Sequence, residues 1–111
     1  MPLVQLSRAR WQAYLDRLSA ALPTGQIEIE VTGLGLGAHV EAEWLPFMGI
    51  SYDPHNDIIT VIAQGVDHII RQPRQIHLDH DLELLRSVEV IDAEGNHHIL
   101  LFRTPLALPS A

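Results

Sequence analysis

The densest run of side chains able to do chemistry lies between residues 67 and 80, where Asp67, His68, Arg71, Arg74, His77, Asp79 and His80 fall close together. Neutral imidazoles with a carboxylate are competent zinc or nickel ligands. Guanidiniums such as Arg71 and Arg74, with His68 beside them, can clamp a small carboxylate or phosphate. In an extended strand His77 and Asp79 project from one face, and His80 joins them if the chain turns there. The plainer reading is a set of surface or strand-end histidines, with the two arginines flanking Pro73 as guards against aggregation at an exposed sheet edge. A second cluster is carboxylic. If Gly33 to Gly37 closes a hairpin with apolar faces kept together, Glu30 opposes Glu41 and Glu28 opposes Glu43. Four carboxylates near His39 could hold a hard cation or meet a basic partner surface. A solvated or arginine-paired face is the ordinary alternative.

Other motifs fail on context. Asp79-His80 has the ending of the metallo-hydrolase motif H-x-H-x-D-H, but Gln75 stands two residues before His77. His97 and His98, adjacent in a strand, point to opposite faces and cannot share one ion. Gly33-Leu34-Gly35-Leu36-Gly37-Ala38 matches the dinucleotide pattern G-x-G-x-x-G/A after a strand. That chemistry requires a helix starting near Gly37, whose amides meet the pyrophosphate. Residues 39–44 instead alternate like a strand, so a glycine-rich hairpin loop is expected and no cofactor is called for. None of Ser7, Ser19, Ser51, Ser87 and Ser110 sits in a nucleophile elbow, and the chain has neither cysteine nor lysine.

These side chains must be positioned by one small domain. The chain has 111 residues, and its mean hydropathy of +0.10 with 47% hydrophobic residues is globular. Fourteen acidic residues against seven arginines give a formal charge of −7, which disfavours nucleic-acid and anionic-membrane partners. Seven histidines match that excess, so the net charge should approach zero as they protonate. No basic leader with an apolar run and no membrane-length apolar stretch is present, so a cytoplasmic location is expected.

Trp11, Tyr14, Leu15, Leu18 and Leu22 form one helical stripe, which predicts a helix over 7–22 capped by Ser7, with Leu6 stapled on Trp11. Arg8 and Arg10 sit unfavourably in its first turn and need another partner, such as an acidic strand. Beyond Gly25 the apolar rhythm changes to two. Strands follow over 27–31, 40–44, 50–53, 58–63, 66–71, 75–79, 84–91 and 98–103. Hairpin turns fall at Pro54-His55-Asn56-Asp57 and at Asp92-Ala93-Glu94-Gly95-Asn96. The expectation is an α+β fold: an N-terminal helix packed on a curved, mainly antiparallel sheet or small β-barrel of about seven short strands. It spans residues 7–103, with a flexible tail over 104–111. The Sm-like small barrel, which also opens with a helix, has this order of elements.

Leu45-Pro46-Phe47-Met48-Gly49-Ile50-Ser51-Tyr52-Asp53-Pro54 and Asp67-His68-Ile69-Ile70-Arg71-Gln72-Pro73-Arg74 are the most distinctive stretches. With the Trp11 helix and Ile91-Asp92-Ala93-Glu94-Gly95, they resemble an uncharacterised family of small bacterial proteins, a domain of unknown function. The resemblance implies a stand-alone bacterial domain and brings no activity, cofactor or catalytic residue. The sequence therefore points first to a non-catalytic binding module that engages a protein partner, possibly itself. The alternative is a cation- or small-anion-binding protein using residues 67–81.

Overall fold

The computed structural model describes residues 3–20, 25–33, 35, 37–81 and 84–107. The chain opens with strand β1 (Leu3–Leu6), passes a short 3-10 turn at Arg8–Arg10 and enters helix α1 (Trp11–Ala20). Seven strands follow: β2 (Gln26–Gly33), β3 (Gly37–Asp53), β4 (Ile58–Ala63), β5 (Val66–Arg71), β6 (Pro73–Asp81), β7 (Leu84–Asp92) and β8 (His97–Ala107). They form one antiparallel sheet in the order β1-β6-β7-β8-β2-β3-β4-β5.

The sheet does not close, so the expected α+β class stands but the barrel does not. β1 and β5 remain as its two edges. It is nevertheless strongly curled. Gln72 alone joins edge strand β5 to β6, which stands next to the opposite edge. A one-residue link cannot cross a flat eight-stranded sheet, since neighbouring strands lie about 4.8 Å apart. Gln72 makes this corner with φ 51°, a left-handed conformation that non-glycine residues adopt rarely.

Strand count and boundaries differ from the alternation pattern in three places. β1 is too short to show a rhythm, yet its four residues pair with β6 from Leu3↔Asp79 to Leu6↔Ile76. The two strands expected at 40–44 and 50–53 are one long strand, β3, which bends at Trp44 (φ 50°) and then carries Pro46. The bend breaks the pleat: Ala42 is buried, Val40 is 54% exposed, and Phe47 takes over the inward face. Thr104 to Ala107, expected in a tail, continue β8, with Leu85↔Leu106 and Leu84↔Ala107 paired; residues 108–111 lie outside the described residues.

The helical stripe packs as its spacing requires. Trp11, Leu15 and Leu18 are almost fully buried, and Tyr14 is buried beside them. Leu22 lies outside the described residues. Trp11 donates its indole N–H to the Leu6 carbonyl at 2.9 Å and meets Tyr52 edge-to-face at 5.2 Å. At the other end of the helix, Ser19 Oγ accepts from the Ile50 amide at 2.7 Å and donates to the Ile50 carbonyl, which binds α1 to β3. Ser7 is the residue before the turn, but its side chain makes no capping bond; its carbonyl accepts from the Arg10 amide instead. Arg8 is held by oxygens from three elements: the Pro73 carbonyl (2.8 Å), the Tyr52 hydroxyl (3.2 Å) and Asp57 (3.4 Å). It also lies 4.3 Å above the Trp11 ring. That cation–π contact and the carbonyl offset an otherwise unfavourable charge at a helix start.

Candidate functional site

The side chains expected to converge over 67–81 are distributed over separate surfaces. Alternation along β5 sends Asp67, Ile69 and Arg71 outward and His68 and Ile70 inward. Arg71 lines a polar cleft of about 330 Å³ with Asn56, Asp57, Gln72 and Glu94, where two hairpin turns meet the β5–β6 corner. The corner is pinned there by the Gln72 amide donating to the Asp57 carbonyl and the Ala93 amide donating to the Gln72 carbonyl, each at 2.9 Å. Arg74 is exposed at the start of β6. His77 faces Glu89 of β7 at 3.6 Å, and His97 of β8 approaches the same carboxylate at 3.0 Å. Asp79 and His80 flank a β-bulge, and the buried Asp79 Oδ1 and His80 Nδ1 have no hydrogen-bond partner among the described residues.

The acidic face also comes apart. Bulges on either side of Ile29 shift the β2–β3 register, so that Glu30 opposes Val40 and Val31 opposes His39. The expected pairs Glu30–Glu41 and Glu28–Glu43 do not form, because each bulge places an extra residue between them. Ile29↔Ala42 is kept. Among the described residues no group of three or more histidines and carboxylates is placed to hold a metal ion. β2 and β3 join as a hairpin with Gly33 opposite Gly37, and no helix follows Gly37, so the dinucleotide geometry is absent.

What the fold does assemble is a polar chain inside the curl that spacing did not reveal. Asp92 ends β7, and its Oδ1 accepts from the Glu94 amide at 2.9 Å and the Asn96 amide at 3.0 Å. Its Oδ2 accepts from Asn96 Nδ2 at 3.2 Å and lies 2.9 Å from His98 Nε2. His98 Nδ1 in turn lies 2.9 Å from His68 Nε2 on β5, across the curl. The order of donors follows from one end. Burial raises the Asp92 carboxyl, but the bonds from His98, Asn96 and Glu94 outweigh it and hold the group below its ordinary value of 3.8. Ionised, Asp92 can only accept, so His98 carries its hydrogen on Nε2 and accepts at Nδ1. His68 then donates from Nε2 and keeps an unprotonated Nδ1.

This chain can hold one further proton without breaking, at His68 Nδ1. Burial and the neighbouring His98 hold His68 below its usual 6.5, partly countered by the Glu41 carboxylate. Asp92 and His98 have side chains only 9% and 8% exposed, so the arrangement is interior. His98 is on the inner and His97 on the outer face of β8, as their adjacency required; the partnership of His98 with Asp92 was the missed element. The available signal was the spacing of Asp92, Asn96 and His98 around a turn whose Gly95 has φ 82°. His98 is buried and His68 half-buried, so the seven histidines are not one exposed set.

Among the described residues no helix is long and apolar enough to cross a membrane. No solved structure matches the chain. An uncharacterized protein of Aquifex aeolicus (strain VF5) is 32% identical over 105 residues, covering 94% of this chain and 95% of that protein. The model of a family of unknown function, DUF5335, matches residues 3–111, and the chain therefore belongs to that family.

Proposed function

We propose that this protein is a non-catalytic binding module that engages a protein partner along the edge strand β5. One observation carries the reading: β5 ends the sheet with its outer edge unpaired among the described residues, beside an apolar outer surface. Ile69 is 47% exposed, Ile62 of the neighbouring strand 37%, and Met48 at the β3 bulge 55%. Ile62 and Ile69 are diagonal neighbours on one face, since Ile62 pairs with Asp67 and Thr60 with Ile69. An unpaired strand offers a row of N–H and C=O groups that a partner strand can satisfy, and adjacent apolar side chains add affinity. The ligand-binding alternative over 67–81 has less support, because its side chains lie on different faces of β5 and β6.

The test is photo-cross-linking in cells, with a photoreactive residue placed at position 69 and, as control, at exposed Glu94 in the β7–β8 turn. Protein adducts are expected from position 69 alone. Their absence there, or equal labelling at both positions, removes the reading.

A further inference from the structure

The partner of β5 can be read from the strand itself, on the strength of the edge reading above: we infer that it is β5 of a second copy, paired antiparallel about a two-fold axis through Ile69.

The backbone shows which residues face the free edge. Gln72 donates its amide to the Asp57 carbonyl, and this pair continues the β4–β5 register, in which Ile58 opposes Arg71. Hydrogen-bonded pairs alternate along an antiparallel ladder. Gln72, Ile70, His68 and Val66 therefore direct their backbone groups toward β4. Asp67, Ile69 and Arg71 direct theirs outward, and among the described residues nothing pairs with them. The same three residues carry the exposed side chains of the strand.

A two-fold axis through Ile69 sets Ile69 opposite Ile69 of the second copy and Asp67 opposite Arg71 at both ends. Each of these pairs exchanges its N–H and C=O, so every outward backbone group from Asp67 to Arg71 is satisfied. The outer face gains one apolar contact between two ion pairs. The neighbouring registers lose this match. An axis through His68 sets Asp67 against Ile69 and Arg71 against Gly65. An axis through Ile70 sets Asp67 against Pro73, which has no N–H to give. Neither Asp67 nor Arg71 has an ion-pair partner among the described residues. Self-complementary charge about a central apolar residue is what an isologous interface requires.

Sedimentation from micromolar to several hundred micromolar protein tests the inference, with circular dichroism melts confirming that each variant is folded. The wild-type chain is expected to pass from monomer to dimer. Asp67→Arg and Arg71→Asp each set like charges against each other twice and should weaken the dimer by about tenfold or more. The double variant restores opposite charges in the same register and should recover wild-type affinity. Ile69→Pro removes an outward N–H that the monomer does not use and should abolish the dimer. As an independent readout, Ile69→Cys in this cysteine-free chain should give a covalent dimer with a short bis-maleimide, whereas Val40→Cys should not. A strict monomer, or a double variant as impaired as the single ones, overturns the inference. A monomer whose position 69 still cross-links to a different protein overturns the second copy and leaves β5 as a binding edge; a monomer without adducts removes both.

Discussion

Replacing Asp92 by alanine should cost this domain about 3 kcal/mol, and the sum can be built from three of the hydrogen bonds it accepts, those from His98 and from the Glu94 and Asn96 amides. His98 Nε2 loses its acceptor at a side chain only 8% exposed, where water cannot readily take over. A buried donor left unsatisfied costs about 1–3 kcal/mol. The Glu94 and Asn96 amides lie in a more exposed turn, so each loses only the net value of a hydrogen bond, about 1 kcal/mol. Against this, the variant no longer buries a carboxylate, which returns part of the loss. At roughly 4 °C per kcal/mol for a domain of this size, the melting temperature should fall by about 12 °C. Asp92→Asn keeps an acceptor for the two turn amides, and His98 can reverse its tautomer to meet the new amide. Its loss should therefore be clearly smaller. Urea unfolding near neutral pH, followed by circular dichroism, measures both. A loss below about 1 kcal/mol for the alanine variant would refute the network as a net stabilising element.

Two further expectations concern the same region. His68 is held below 6.5 in the folded protein, so on acidification the unfolded chain takes its proton first, and stability should fall as pH drops from about 6.5 toward the lower folded value. His68→Gln should flatten that slope in a series of urea titrations between about pH 5 and 7.5; an unchanged slope would assign it to other groups. Asp92 acts further down the scale: its contribution is present above 3.8 and is lost as pH falls through its depressed value. At Gly33 an added Cβ would overlap Asn96 Oδ1, whose amide is tethered to Asp92. Gly33→Ala should lower stability by about 1–2 kcal/mol, and adding Asn96→Ala should bring little further loss, since truncating Asn96 relieves the clash while it removes the bond to Asp92. Strictly additive losses in a double-mutant cycle would show that the two residues do not meet.

Periodicity identified most of the elements. The stripe from Trp11 to Leu18 specified which helix face is buried, and the change of rhythm at Gly25 specified strands. Turn chemistry was equally legible. Asp53 accepts from the His55 amide at 2.9 Å and from Asn56 Nδ2 at 2.8 Å, as a residue opening that turn should. Misses fell where local pattern carries little information. β1 has four residues, and the bulges beside Ile29 displace Glu30 from Glu41 without any mark in the alternation of β2.

The sequence by itself determined the inward face of the helix and of the regular strands, but not β1 or the bend in β3, because those faces follow from the spacing of apolar residues and from turn-forming types over a few positions. It also determined that Asp67 and Arg71 leave one strand on one face, two residues either side of Ile69. Only the tertiary structure decided that the sheet stays open, since this depends on a one-residue corner at Gln72 and on β1 and β5 forming no ladder with each other among the described residues. The meeting of His68 with His98 was likewise beyond local pattern. They are thirty residues apart, and their contact exists because the curl brings the inner faces of β5 and β8 together.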